Sequence, residues 1–123
     1  MLHGYINNPP TDTEVVINWL REFIQFLGMK ILQGPFSSYV NEVGNKGLTA
    51  VAMIETSHIA FHIWDEASPS LIQFDVYTCG QLDVQKTIDE LEKFFDFSSY
   101  QYRVYDREVG FELIAAAISG GAN

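Results

Sequence analysis

Two short apolar segments, LTAVAMI at 48–54 and HIAFHIW at 58–64, are separated only by Glu55, Thr56 and Ser57. A connection of that length is a hairpin connection, so the two runs fold back on each other as neighbouring strands. Side chains alternate along a strand, which puts Ile59, Phe61 and Ile63 on one face and His58, Ala60, His62 and Trp64 on the other. If helices cover the isoleucine face, the histidines point outward or into a cleft. Two histidines four residues apart on a strand lie about 13 Å apart, too far to chelate one metal ion together. The pattern disfavours zinc.

The flanking sequence supplies further elements. Residues 3–6 (HGYI) fit a first strand ahead of the breaker NNPP. Thr11 and Glu14 have capping-box spacing, and Val16, Leu20, Phe23, Ile24 and Leu27 recur at helical spacing up to Gly28. This predicts a helix over 12–27. MKILQGPFSSYV (29–40) mixes β-formers with Gly34 and Pro35, the mark of a bent or edge strand, and NEVGNKG (41–47) reads as a loop. DEASPS (65–70) is a polar loop, and LIQFDVYT (71–78) is a strand punctuated by Gly80. Asp83 caps a second helix, in which Val84, Ile88, Leu91, Phe94 and Phe95 form one apolar stripe suited to packing on a sheet. YQYRVYD (100–106) and GFELIAAA (110–117) predict one or two more strands or a short closing helix, and ISGGAN (118–123) is expected to fray. The order predicts an α+β fold, a mostly antiparallel sheet with two helices packed on one face, in a single domain over 1–123.

Composition narrows the function. The 123 residues are enough for one ordinary core, and 47% hydrophobic residues with 14% aromatics describe a globular chain. Seven basic against sixteen acidic residues give a net charge of −9, which repels phosphate backbones and anionic lipid, so nucleic acid and membrane are poor partners. The same charge permits a cationic substrate, although it serves solubility equally well. Cys79 is the single cysteine, and MLHGYINNPP lacks the regions of a signal peptide, which together predict a cytoplasmic protein. No apolar run approaches the ~20 residues of a membrane span. Walker, GxGxxG and GxSxG motifs are absent. Taken singly, each histidine is an ordinary polar group on a half-exposed strand and Cys79 a small hydrophobe.

Taken jointly, these residues carry a resemblance. TSHIAFHIW (56–64) followed by FDVYTCG (74–80), with the lead-in GLTAVAMI (47–54), resembles the bacterial-type S-adenosylmethionine decarboxylases, small pyruvoyl-dependent proenzymes. Ser57, His58, His62, Asp75, Thr78, Cys79 and Gly80 match in order. The resemblance implies an α+β sandwich and a chain that processes itself: Ser57 attacks the carbonyl of Thr56, the resulting ester β-eliminates, and cleavage leaves a pyruvoyl group at position 57. It implies that His62 assists processing, that Thr49 stands where the family usually has a processing serine, and that Cys79 donates the proton in decarboxylation. Glu55, His58 and Asp75 are the candidate substrate-binding residues.

The pyruvoyl ketone would condense with the substrate amine and accept the electrons released with carbon dioxide, so neither a metal nor pyridoxal phosphate is implied. The implied substrate is S-adenosylmethionine, whose sulfonium aromatic faces could hold, and the implied product is the aminopropyl donor for spermidine and other polyamines. The family also implies a homodimer with active sites near the subunit contact. One position departs from the pattern: Thr56 occupies the place of the family's glutamate, with Glu55 one residue earlier and therefore on the opposite face of a strand. Two other readings follow from the charge and from Thr56 respectively: a pyruvoyl decarboxylase of arginine or ornithine, and an unprocessed homologue with a binding or regulatory role.

Overall fold

The structure, a computed structural model, describes residues 1–55, 57–79, 81–107 and 110–120. Along the chain they form β1 (Leu2–Asn7), α1 (Thr13–Phe26), β2 (Ile31–Val40), β3 (Gly47–Ile54), β4 (Ser57–Trp64), β5 (Ser70–Tyr77), α2 (Val84–Phe94), β6 (Asp96–Asp106) and β7 (Glu112–Gly120). The strands make one sheet in the order β2-β3-β4-β5-β1-β6-β7, and every neighbouring pair is antiparallel. This is the expected α+β arrangement.

The hairpin of 48–64 forms β3 and β4, with Thr49 opposite His62, Met53 opposite His58 and Ile54 opposite Ser57. Ser57 is therefore not a turn residue, as its place in the connector implied, but the first residue of β4. Thr56 and Gly80 lie outside the described residues. Gly47 brings the start of β3 so close to β4 that an added Cβ would land on the Ile63 carbonyl oxygen.

Local chemistry explains the other boundaries. Asp12, rather than Thr11, caps α1: its Oδ1 accepts from the backbone N–H groups of Glu14 (3.0 Å) and Val15 (3.4 Å), and a carboxylate is the better partner for a helix N-terminus. Asp83 caps α2 as expected, accepting from Lys86 N at 3.0 Å. β2 is an edge strand whose register shifts on the approach to Phe36, across Gly34 and Pro35, because proline cannot donate to a ladder. The last two segments form a hairpin of β6 and β7 and no closing helix. β7 pairs as far as Gly120, opposite Ser99, so 118–120 belong to a strand where fraying was expected; 121–123 lie outside the described residues.

Both helices pack on one face of the sheet. Val16, Leu20, Phe23 and Ile24 of α1 and Ile88 and Leu91 of α2 are buried with Ile59, Phe61, Ile63, Ile72 and Phe74 of the strands. Trp19 stacks between Phe23 (4.9 Å between ring centroids) and Phe94 (4.4 Å) and presents edges to Phe61, Phe74 and Phe95, so one aromatic cluster joins both helices to β4 and β5. Phe61 has no solvent exposure and stacks on Phe74 at 5.2 Å. Phe61→Ala should lower unfolding stability by about 3–5 kcal/mol in a denaturant titration, because the cavity would lie under rings that cannot collapse into it.

Among the described residues, no helix lies on the opposite face of the sheet. There Val51, Met53, Tyr5 and His62 are exposed, and Thr49 and His58 are half-buried. No helix among the described residues is long and apolar enough to cross a membrane.

Candidate active site

Strand register assembles the first pair of reactive groups. His58 pairs with Tyr77 across β4 and β5, so the start of β4 and the chain just after β5 run side by side. This brings Ser57 Oγ within 3.8 Å of Cys79 Sγ, although the two residues are 22 apart in sequence. The contact lies within the range of a hydrogen bond involving sulfur. A hydroxyl and a thiol so placed serve one small volume, in which either can pass a proton to an atom attached at position 57.

A second pair, which begins at the residue after Ser57, lies on the helix-free face. His58 Nε2 is 3.7 Å from Asp75 Oδ2, and both side chains are about four-tenths exposed, so the ion pair is weak and exists only when the imidazole is protonated. The His58 ring also meets Tyr77 edge-on, with centroids 5.5 Å apart. Two of the candidate substrate-binding residues thus stand together next to Ser57. The third, Glu55, does not join them: its carboxylate is 3.5 Å from Lys30 Nζ and its backbone N–H donates to the Lys30 carbonyl, which turns it toward the start of β2.

Thr49 and His62 form a third group. Thr49 Oγ1 and His62 Nδ1 are 2.9 Å apart, so the threonine supplies the hydroxyl that steadies the ring. His62 is five residues along β4 from Ser57, about 16 Å by the strand rise, and the pairing of β4 with β3 runs between them without a register shift. Within one chain, His62 and Ser57 are not brought together.

A groove of about 1160 Å³ opens at Cys79. It lies beyond the end of β1, where Leu2 stands opposite Phe74 on one side and Tyr102 on the other and Met1 exchanges backbone hydrogen bonds with Arg103, while β5 and β6 run on to Tyr77 and Asp106. Asp75, Tyr77, Cys79 and Asp83 line one wall, and Asp106 and Arg107 contribute to the other. Arg107 crosses the gap, and its guanidinium carbon stands 3.7 Å from the centroid of the Tyr77 ring. Sequence reading missed Tyr77 and Arg107. Tyr77 is two residues from Cys79 and could have been singled out, whereas Arg107 is placed only by the insertion of β1 between β5 and β6. Among the described residues, no group of three or more His, Cys, Asp or Glu side chains could hold a metal ion.

Comparison with known proteins agrees with this arrangement. The family model described as S-adenosylmethionine decarboxylase matches residues 3–108. A protein of Methanococcus maripaludis named S-adenosylmethionine decarboxylase proenzyme is 42% identical over 50 residues, which cover 40% of this chain and 39% of the relative. Relatives of the same name from Archaeoglobus fulgidus and Picrophilus torridus are 34% and 32% identical over 62 residues, half of this chain and 54% and 46% of theirs. The aligned part of the chain thus spans about half the length of these relatives or less. No solved structure matches. The breadth of the family match, extending from β1 past the end of β6, leads to one conclusion: the chain belongs to the S-adenosylmethionine decarboxylase family.

Proposed function

We propose that this protein is a self-processing, pyruvoyl-dependent decarboxylase of S-adenosylmethionine that serves polyamine, including spermidine, synthesis. The observation that carries the reading is the 3.8 Å contact between Ser57 Oγ and Cys79 Sγ at the mouth of a groove, in a chain of this family. Processing begins with Ser57 Oγ attacking the carbonyl carbon of Thr56, forming an ester as the C–N bond breaks. β-Elimination then breaks the serine Cβ–Oγ bond and releases Thr56 as a carboxylate, leaving a dehydroalanine at position 57 whose imine tautomer is hydrolysed by water, with loss of ammonia, to the pyruvoyl group. Ser57 is partly exposed, at the first pair of a strand and next to the carbonyl it would attack.

The pyruvoyl group formed from Ser57 supplies an electron sink for the pair released with carbon dioxide. The residues around position 57 fit such a group: a small polar side chain at a strand end, with a proton donor beside it, Cys79, that lines the groove. Cys79 holds a proton at Sγ, within reach of the carbon that decarboxylation leaves. His58 and Asp75 border the place of the substrate. The reading uses neither a metal nor pyridoxal phosphate, and a thiol kept reduced fits a cytoplasmic setting.

The same reading includes a homodimer. His62 and Thr49 stand about 16 Å along the strand from their own Ser57, on a sheet face that no helix covers and where Val51 and Met53 are exposed. Two such faces packed together would let His62 of one protomer move protons for the partner subunit's Ser57. An apolar, helix-free face of this kind is the surface a second sheet covers.

Cys79→Ala separates the two chemistries. Cleavage should persist, because Cys79 is not the attacking group, while carbon dioxide release from carboxyl-labelled S-adenosylmethionine should fall by about a hundredfold or more. Equal loss of both activities would reassign the thiol to processing. The carboxylates lining the groove, Asp75, Asp83 and Asp106, also favour a second reading in which the substrate is arginine or ornithine, and the same assay run on labelled arginine and ornithine decides between them.

A further inference from the structure

Arg107 occupies an unusual place. It sits just beyond β6, is exposed, and makes no ion pair among the described residues, although three aspartates line the same groove. Its guanidinium instead lies 3.7 Å from the centroid of the Tyr77 ring, across the gap left by β1. Tyr77 is half-buried, its backbone fixed by pairing with His58 and its ring held edge-on to the His58 imidazole. The ring is thus a rigid platform, two residues from Cys79, with one face covered by a cation from the chain itself.

We infer that the Tyr77 ring face is the surface by which this groove reads a cationic substrate, and that Arg107 is a built-in competitor which the substrate must displace. The inference deepens the proposed function and rests on it for the location of the reacting centre. Three features support it. An aromatic face attracts a cation through its quadrupole, and that attraction does not distinguish a guanidinium on the chain from a sulfonium or guanidinium on a ligand. The groove is lined by Asp75, Asp83 and Asp106 and also by Met1, which carries the terminal ammonium, Arg103 and Arg107, so once Arg107 swings out the carboxylates outnumber the cations and a replacement positive charge is favoured. Finally, only Thr78 separates Tyr77 from Cys79, so a ligand whose reacting carbon lies beside position 57 has its cationic group one short side chain away, over the ring. A neutral ligand of the same shape gains nothing by displacing Arg107 and is disfavoured. Arg107 is therefore a specificity-determining residue, not a catalytic one.

The test is calorimetric binding to the full chain in a Ser57→Ala background, which prevents turnover. The probes are S-adenosylmethionine, its uncharged thioether counterpart S-adenosylhomocysteine, and free arginine. Arg107→Gln should tighten S-adenosylmethionine by about two- to thirtyfold, the span of one cation–π contact, and leave the thioether unchanged. Tyr77→Leu should remove the preference for the cation over the thioether, and Tyr77→Phe, which keeps the ring, should retain it. A merely structural role for Arg107 would move both nucleosides together. An unchanged or reduced cation-to-thioether ratio in Arg107→Gln overturns the inference. If neither nucleoside binds but Arg107→Gln gains affinity for arginine, the competitor stands and S-adenosylmethionine falls as the substrate. No gain for either cation removes the competitor, whatever the substrate.

Discussion

Ser57→Ala should abolish cleavage: the purified variant should run as one species of full-length mass, and prolonged incubation should not change it. The argument is one of atoms. The ester that precedes chain scission needs an oxygen on the residue that supplies the nitrogen of the broken bond, Ser57, and alanine removes that oxygen and nothing else. Ser57 is partly exposed at the first pair of β4, so the change should leave stability within about 0.5 kcal/mol and the loss cannot be laid to unfolding. Circular dichroism and thermal unfolding beside the wild type check this. Fragments that persist in the variant would show that Ser57 is not the nucleophile.

The second large effect concerns where the processing proton carrier comes from. His62→Ala should slow cleavage by about a hundred- to ten-thousandfold, the range for loss of one general acid or base. The informative step is to combine two inactive chains. Ser57→Ala lacks the nucleophile and His62→Ala lacks the imidazole, so neither homodimer should cleave. When differently tagged versions are co-expressed, the His62→Ala chain should be cut and the Ser57→Ala chain should stay whole, because a mixed dimer restores one complete pair across the subunit contact. A mixed dimer that forms, as native mass spectrometry would show, but leaves both chains intact would contradict processing in trans. The expectation follows from the unbroken register of β4, which keeps His62 about 16 Å along the strand from its own Ser57.

What the sequence revealed and what it concealed divide along the distance of the contacts involved. The β3–β4 hairpin, the inward Ile59, Phe61 and Ile63, the Asp83 cap and the edge character of β2 were all legible, because each depends on neighbours within a few residues. The nature of the last segment was not, since AAA at 115–117 favours helix by propensity while its pairing with Val104, Arg103 and Tyr102 makes it strand. Nor was the placement of β1 between β5 and β6, which joins residue 2 to residues 74 and 102 and sets the groove beyond its end. The site follows the same division. Ser57, His58, Asp75 and Cys79 were named from their order and do come together. Glu55 was named with them, and only the fold shows that Lys30 holds it elsewhere. The five-residue interval from Ser57 to His62 was in plain view, yet its consequence needed a strand with unbroken register. Arg107 gave no local signal, because its partner Tyr77 is thirty residues earlier and two strands away.

The most direct test of self-processing is the intact mass of freshly purified wild-type protein under denaturing, reducing conditions. The account predicts two fragments, one ending at Thr56 and one beginning at residue 57 with the mass of a pyruvoyl group in place of serine. A single full-length mass that persists on long incubation would contradict it and would leave a family member that keeps the fold and binds without cutting itself.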